Sequence, residues 1–229
     1  MASSVSSRVK KIVKTAAAVF FLLALIFGSA GTFNWPEAWI FLILYMAAAG
    51  GGVIWLKKND PDLLKERLST KKDVKAWDKK IMLAYIFLLI LMFALIGFDA
   101  VRFRWSQMSF ALKVVGFLGY IPVMIIIFLT MVHNTYLSKM VRIQEDRGHQ
   151  ICTTGPYQYI RHPMYIGIII FIFCLPFSLG SFYALIPALL IIILFMLRTS
   201  LEDKTLHEEL PGYKEYAQRV RYKLIPGIW

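Results

Sequence analysis

The chain has 229 residues, of which 58% are hydrophobic and only 17% charged, and its net charge is +12 at neutral pH. In soluble domains about a quarter of all residues are charged, so this composition excludes an ordinary soluble protein. The two cysteines are too few for a disulfide framework, and the four histidines lack the short-range Cys/His partners that a metal site requires.

The apolar residues form blocks that predict membrane-spanning helices. Four of them approach the roughly 20 residues that cross a bilayer, namely residues 13–31, 38–56, 81–98 and 111–132. Two further blocks, 164–177 and 181–197, predict a helical hairpin with a short or kinked first arm, because Pro176 and Gly180 lie near their junction. We therefore expect an all-α bundle of about six transmembrane helices, followed by a C-terminal helical tail.

Lysine and arginine lie almost entirely on one side of this predicted bundle. If the N-terminus is cytoplasmic, 23 of the 26 basic residues face the cytoplasm and only Arg102, Arg104 and Lys113 face the other side. Basic residues concentrate in cytoplasmic loops, so both termini are predicted to be cytoplasmic. Contact of these loops with anionic lipid headgroups accounts for the positive charge without nucleic acid.

The connections and helix ends give several local predictions. Gly50 to Gly52 in the second block are typical of close helix packing. After Asp60-Pro61 the sequence predicts a short amphipathic helix at the membrane surface. Asp99 is expected to pair with the arginines that follow it, and Pro122 is expected to bend the fourth block.

The polar pair His133-Asn134 ends the fourth block, where a helix commonly reaches water. Further along, Arg161-His162-Pro163 predicts a helix that starts at Pro163, with His162 near the cap, because proline is favoured at the first helical position. The N–H groups and positive dipole end of such a helix form a site for a carboxylate or phosphate. Just before it, residues 154–157 predict a turn whose backbone amides could bind a planar base.

The C-terminal segment carries a second polar group. Arg198 and Glu202 are four residues apart on a predicted helix, and so share a face with Leu206 and Glu209. Leu210-Pro211-Gly212 then breaks the helix, and the residues after it can fold back by an amphipathic face made of Tyr213, Tyr216, Ala217 and Val220. A cation and an anion beside a helix N-terminus could hold a zwitterionic amino-acid moiety and an anionic substrate group.

Together these motifs resemble the integral membrane methyltransferases that include isoprenylcysteine carboxyl methyltransferase and the phospholipid N-methyltransferases. The resemblance rests on GPYQYIRHPMYIG, on R-x-x-x-E-D, and on L-P-G-Y-x-x-Y-x-x-x-V-R-Y-x-L-I-P, within residues 144–226. It implies S-adenosylmethionine as the cofactor and a lipidic or prenylated acceptor in the bilayer. It also implies a division into N-terminal transmembrane helices with a basic cytoplasmic loop (1–110) and a catalytic membrane core (111–229), which holds a cofactor loop (144–167) and a tail (198–229).

Carried over by position, the resemblance assigns roles to individual residues. Glu202 matches the acidic residue that holds the cofactor in the family, and Arg198 matches the family's arginine that faces the substrate. Arg198 and His162 are the predicted catalytic residues. The remaining predicted cofactor contacts are Gln144, His149, Gln150, Ile151, Cys152, Tyr157, His162, Pro163, Met164 and Tyr165. A carboxylate acceptor would need no base, whereas an amine would have to lose a proton to His162, His149 or Glu202.

Two departures from the family pattern concern the acceptor. The loop at 144–149 is short, and Asp203 stands where a second glutamate is common. Nothing in the sequence selects a prenyl group over another lipid. The acceptor could therefore be an isoprenylcysteine-like carboxylate or a phospholipid amine.

Two other functions are open to the sequence. The C-terminal part of the membrane sterol reductases also carries an R-H-P-x-Y stretch, which would make the cofactor NADPH. The other is a non-catalytic transporter or scaffold, although transporters commonly place ionisable groups near the bilayer midplane and here the charges lie at the helix ends.

Overall fold

A computed structural model describes residues 2–69 and 73–229, and the side chains of the first helix at Val13 and from Ala16 onward. Part of the predicted charge asymmetry rests on basic side chains outside this described set, those of Arg8, Lys10, Lys11, Lys14, Lys71 and Lys72. The described residues contain helices and no strands, in the order α1 (Ala2–Ala30), α2 (Pro36–Asn59), α3 (Pro61–Leu68), α4 (Ala76–Gly97), α5 (Phe110–Leu118), α6 (Tyr120–His133), α7 (Pro163–Leu179), α8 (Leu185–Glu209) and α9 (Tyr213–Arg219). The predicted all-α class is confirmed.

Among the described residues, four helical segments are long and apolar enough to cross a membrane. They are α2, α4 with the π-helical turn that extends it to Arg102, the pair α5–α6, and α8. Two shorter apolar helices accompany them, Ala16–Ala30 in α1 and Pro163–Leu179. Large apolar side chains also cover the outside of the bundle, among them Leu83 and Phe110, which are 68% and 82% exposed. An apolar exterior of this extent marks contact with lipid, and the number of six spans stays a prediction.

The fourth predicted helix is interrupted at Gly119. α5 ends at Leu118 and α6 begins at Tyr120, so the irregularity lies just before Pro122. A Cβ atom at Gly116 or Gly119 would lie only 2.4 Å from the backbone nitrogen of Ser178 or 2.3 Å from Sγ of Cys174. Glycine is therefore required where α5 and α6 approach α7.

Close helix packing was predicted at a different set of glycines, and that prediction is wrong. A Cβ atom at Gly50 or Gly51 would meet no atom within 4 Å, and at Gly52 only the tip of Met131. Gly50 and Gly51 are exposed, and Gly52 is at most in ordinary contact with α6. The local sequence shows small residues but not which face of the helix they occupy.

Helices α1, α2, α4, α6, α7 and α8 share one apolar core. Met92 and Ile96 of α4, Ile172 of α7 and Ile191 of α8 are completely buried in it, together with residues of α1, α2 and α6. α7 and α8 form the predicted hairpin, and Gly180, with φ of +89°, makes the turn between them. The first arm is short, as expected, with 17 residues, and Pro176 lies inside its last turn.

Two predictions about charged residues outside the site need correction. Asp99 does not pair with Arg102 or Arg104; it is fully buried and accepts hydrogen bonds from the hydroxyls of Ser106 and Ser181. The helix after Asp60 forms as predicted, but it is not only a surface helix. Its Leu63 and Glu66 are buried, and Glu66 forms an ion pair with Arg142 in the loop that follows α6.

Candidate active site

The N-terminus of α7 is built as its sequence predicts. His162 occupies the N-cap and Pro163 the first helical position, and no side chain caps the helix. The backbone N–H groups of Arg161 and His162 donate to the carbonyls of Tyr222 and Lys223, both at 3.0 Å. The loop before α7 is thus joined directly to the C-terminal tail.

Asp203 connects three parts of the site. Its carboxylate accepts two hydrogen bonds from the Arg161 guanidinium, at 2.8 and 3.0 Å, and one from the Tyr213 hydroxyl at 2.9 Å. Nε2 of His162 lies 3.2 Å from the same carboxylate. Asp203 therefore fixes α7, α8 and α9 relative to one another, a role that its position beside Glu202 did not suggest.

The tail folds back as predicted after α8 ends at Glu209. Leu210, Tyr213, Tyr216 and Val220 form a small apolar cluster, against which Ile143, Ile151, Leu206 and Ala217 pack. The Tyr216 hydroxyl donates to the carbonyl of Tyr157 at 2.7 Å. The cluster closes one side of a cavity between the tail and the loop from Asn134 to His162.

This cavity has a volume of about 820 Å³ when the space at its open mouth is included. Most of the predicted contact residues line it: His149, Gln150, Ile151, Cys152, Tyr157, His162, Met164, Tyr165, Arg198 and Glu202. They come from the loop, from α7 and from α8, so the fold brings the two predicted segments together.

Two predicted cofactor contacts do not line the cavity. Gln144 is 1% exposed, and its side chain donates to the carbonyl of Tyr136 and accepts from Arg147. Pro163 is buried at the first position of α7. These residues hold the loop and start the helix instead of facing the cavity.

Glu202 is the carboxylate on the cavity wall. It accepts a short hydrogen bond from the Tyr165 hydroxyl through Oε2, and its Oε1 lies 4.0 Å from Nδ1 of His162. The rings of His162 and Tyr165 are stacked with an interplanar angle of 13°. Among the described residues, no lysine or arginine forms an ion pair with Glu202.

Arg198 does not pair with Glu202, with which it shares a face of α8, but with a carboxylate of another helix. Its Nε and Nη2 donate to Asp78 at 2.7 and 3.1 Å, and Nη2 also donates to the carbonyl of Lys139 at 2.8 Å. Asp78 lies in the first turn of α4 and is completely buried. The guanidinium stays on the cavity wall, 5.3 Å from the ring centre of Tyr165.

The loop contributes polar groups with altered acidity. Burial, assisted by the positive charges of Arg142 and Arg147, lowers the pKa of His149 to about 4, so its imidazole is neutral at physiological pH. Burial also raises the pKa of Tyr157, although the Asn134 side chain, which donates to its hydroxyl at 2.8 Å, lowers the pKa in part. Both side chains are uncharged at neutral pH.

Several residues of the site were not found by sequence reasoning. Asn134 was interpreted as a helix end reaching water, yet it lines the cavity and holds Tyr157. Arg142 also lines the cavity and binds Glu66 through two hydrogen bonds, at 2.9 and 3.0 Å, and Asp73 at 2.6 Å. The polar pair His133-Asn134 at the end of an apolar block could have indicated that Asn134 belongs to the site. No local signal in the sequence connects Arg142 with the segment before α4.

The polar groups around the cavity fit a nucleoside that carries an amino-acid group. Glu202 offers a carboxylate to an ammonium group, and the start of α7, which no side chain caps, suits a carboxylate. The backbone N–H groups of Gln150, Ile151 and Cys152 make no hydrogen bond to the described protein. They, with the apolar face of Tyr157, are the kind of groups that bind a planar base.

A comparison with protein-family models matches residues 114–208 to the isoprenylcysteine carboxyl methyltransferase family. A search with the sequence against curated proteins finds no significant match. The matched segment runs from α5 to the last turn of α8 and includes the loop, the start of α7, Arg198 and Glu202. The similarity to this family of methyltransferases thus covers 95 of the 229 residues, from 114 to 208, and these contain most of the cavity wall.

Proposed function

We propose that the protein is an S-adenosylmethionine-dependent methyltransferase that acts on a lipidic or prenylated acceptor at the membrane surface. The observation that carries this proposal is the meeting of His162 and Glu202 on the wall of one cavity, with 4.0 Å between Nδ1 and Oε1. The two residues belong to the two motifs that the family resemblance combines. The family match over residues 114–208 supports the same chemistry.

In this proposal, different groups of the protein bind different parts of the cofactor. Glu202 binds the ammonium, the start of α7 binds the carboxylate, and the loop from His149 to Cys152 binds the adenine with Tyr157. When bound, the cofactor supplies an activated methyl group on a sulfonium. The protein then contributes positioning and exclusion of water, which provide most of the rate enhancement in an in-line displacement.

The acceptor would approach from the side of Arg198. Because Nε and Nη2 are held by Asp78 and Lys139, Nη1 is the guanidinium nitrogen left to orient a carboxylate acceptor. An amine acceptor would instead need a proton acceptor. The Asp203 carboxylate beside Nε2 favours the His162 tautomer that is protonated at Nε2. In this tautomer Nδ1, which lies beside Glu202, is the nitrogen that can accept a proton.

We further propose that the cavity faces the cytoplasm. The loop between α2 and α4, the loop before α7 and the tail all contact one another at the cavity. They also carry most of the lysine and arginine residues of the chain. Cytoplasmic loops attract basic residues, so this end of the bundle and both termini would be cytoplasmic.

Direct binding followed by methyl transfer tests the proposed function. Detergent-solubilised protein should bind labelled S-adenosylmethionine saturably, and an excess of NADPH should not displace it. The protein with labelled cofactor is then incubated with a panel of prenylated thiols bearing a carboxylate and of phospholipid amines, and the methylated product is identified. Saturable NADPH binding without S-adenosylmethionine binding would favour the reductase, and binding of neither would leave a transporter or scaffold.

A further inference from the structure

Arg198 and Glu202 occupy neighbouring turns of α8, and both line the cavity. Side chains four residues apart on a helix are in reach of each other, and opposite charges at this spacing attract. Nevertheless, no ion pair joins them among the described residues. The Arg198 guanidinium is bound instead by Asp78, from a helix far away in the sequence.

The pair of Arg198 and Asp78 is well defined. Two nitrogens of the guanidinium meet the two carboxylate oxygens at 2.7 and 3.1 Å, an arrangement that fixes the plane of both groups. Asp78 is itself held in place, because its Oδ2 accepts from the backbone N–H of Val141 at 2.7 Å. Asp78 therefore sets the direction in which Arg198 points.

We propose that Asp78 is a positioning residue of the active site: it holds Arg198 away from Glu202, so that Glu202 keeps its negative charge for the cofactor's ammonium group. The proposal rests on the proposed function. Asp78 lies in the first turn of α4, so the proposal extends the active site beyond the segment matched to the family. Asp78 does not line the cavity, so it acts through Arg198 and touches neither substrate nor cofactor.

The expected consequence of losing Asp78 follows from the burial of Arg198, which is 4% exposed. A buried guanidinium without a counterion is strongly unfavourable. The Glu202 carboxylate, one helical turn away, would then become its partner. The cofactor's ammonium would have to compete with an internal cation for the same carboxylate.

A double-mutant cycle on cofactor affinity tests this mechanism. Asp78→Asn keeps the size of the side chain and an oxygen for the Val141 N–H, but removes the charge. We expect it to weaken S-adenosylmethionine binding by about tenfold or more when Arg198 is present, and by less than about twofold in an Arg198→Gln background. An equal loss in both backgrounds would overturn the proposal, because Asp78 would then act on the fold and not through Arg198.

Two further variants sharpen the comparison. Asp78→Glu keeps the charge and should retain more cofactor affinity than Asp78→Asn. Asp73→Asn, in the loop just before α4, removes a 54% exposed carboxylate whose partner Arg142 also binds Glu66 and Asp146, and it should leave cofactor affinity unchanged. If Asp78→Asn alone does not fold, the double variant with Arg198→Gln removes both partners of the buried pair, a change that folds more readily. A tenfold loss of affinity in that double variant relative to Arg198→Gln alone would also overturn the proposal.

A second measurement does not use the cofactor, so it separates this proposal from the proposed function. Glu202→Gln should leave the Tm of the wild-type protein nearly unchanged, since no lysine or arginine of the described residues forms an ion pair with Glu202 there. In an Asp78→Asn background the same substitution should lower Tm, because it would remove the new ion pair with Arg198. Equal shifts of Tm in the two backgrounds would contradict the proposal even if the protein binds no S-adenosylmethionine, and unequal shifts would support it even then.

Discussion

His162 at the start of α7 and Glu202 near the end of α8 lie side by side on one cavity wall, with Nδ1 of His162 4.0 Å from Oε1 of Glu202. Tyr165 joins the pair, since its hydroxyl donates to Glu202 and its ring stacks on His162. The uncapped start of α7, the His162 imidazole and a carboxylate that pairs with no lysine or arginine of the described residues thus meet at one point.

Glu202→Gln should weaken S-adenosylmethionine binding by about 10- to 100-fold. A hydrogen bond to a charged group contributes about 1.5–3 kcal/mol, and each 1.4 kcal/mol changes a dissociation constant tenfold. Isothermal titration calorimetry on the solubilised protein measures the change. Glu208→Gln is a matched control on the same helix, since Glu208 is 60% exposed and its ion-pair partner among the described residues is Lys204 at 3.8 Å. If both variants bind like the wild type, Glu202 does not hold the cofactor.

Asn134→Ala should weaken cofactor binding by a smaller factor, about three- to tenfold. The Asn134 side chain donates to the Tyr157 hydroxyl, and loss of one neutral hydrogen bond costs roughly 0.5–1.5 kcal/mol. The same titration measures this, and Asn59→Ala serves as control, because Asn59 is exposed and only donates to the carbonyl of Trp55. An unchanged affinity would show that Tyr157 does not depend on Asn134 for its orientation.

Sequence reasoning identified features that depend on neighbours in the sequence. It missed contacts between residues that are far apart in the sequence. Pro163 and Leu210-Pro211-Gly212 act on their own backbone, so the start of α7 and the end of α8 were predicted correctly. For Arg198 the sequence indicated only that it shares a helix face with Glu202, because the spacing rule for one helix considers only near neighbours. Its actual partner, Asp78, is 120 residues away, and only the packing of α4 against α8 brings the two together.

The same limit explains Gln144 and Asn134. Position within a motif suggested that Gln144 contacts the cofactor, but the turn at 144–148 directs its amide toward Tyr136 and Arg147. Asn134 carries no motif, yet the loop returns to it and places Tyr157 against its side chain. Residue type and spacing predicted which segments form the site, whereas the side-chain directions depend on contacts across the fold.

Acid should destabilise the protein through His149 in a defined pH range. The pKa of His149 is about 4 in the folded state, below its ordinary value of 6.5, so the unfolded chain binds the proton more readily. Stability contributed by the neutral imidazole is complete above pH 6.5 and is lost as the pH falls toward 4. Thermal unfolding between pH 4 and pH 7 should therefore depend more steeply on pH in the wild type than in His149→Gln. Parallel curves for the two proteins would show that His149 has an ordinary pKa.

The orientation of the chain can be measured by labelling with a membrane-impermeant maleimide. Arg104 and Lys214 are both exposed and lie at opposite ends of the bundle. If both termini are cytoplasmic, Arg104→Cys should be labelled in intact cells, whereas Lys214→Cys should be labelled only after the membrane is permeabilised. The protein without an introduced cysteine gives the background from Cys152 and Cys174. The reverse pattern would place the cavity on the outer face.

Asp203→Ala should be the most destabilising single substitution among the residues of the tail. It removes the partner of the buried Arg161 guanidinium, and breaking a buried ion pair from one side costs about 3–5 kcal/mol. The Tyr213 hydroxyl and Nε2 of His162 would lose the same partner. Because these contacts join α9 to α7 and α8, the tail should separate from the cavity before the transmembrane helices unfold.

Limited proteolysis measures that separation directly. Asp203→Ala should be cleaved within residues 210–229 much faster than the wild type, at temperatures where the rest of the chain resists cleavage. Lys204→Ala, a neighbouring substitution at a 72% exposed side chain, should be cleaved at the wild-type rate. Asp203→Asn keeps oxygen and shape but not charge and should fall between the two. Equal cleavage of all four proteins would mean that the apolar cluster around Tyr213 and Tyr216 holds the tail without help from Asp203.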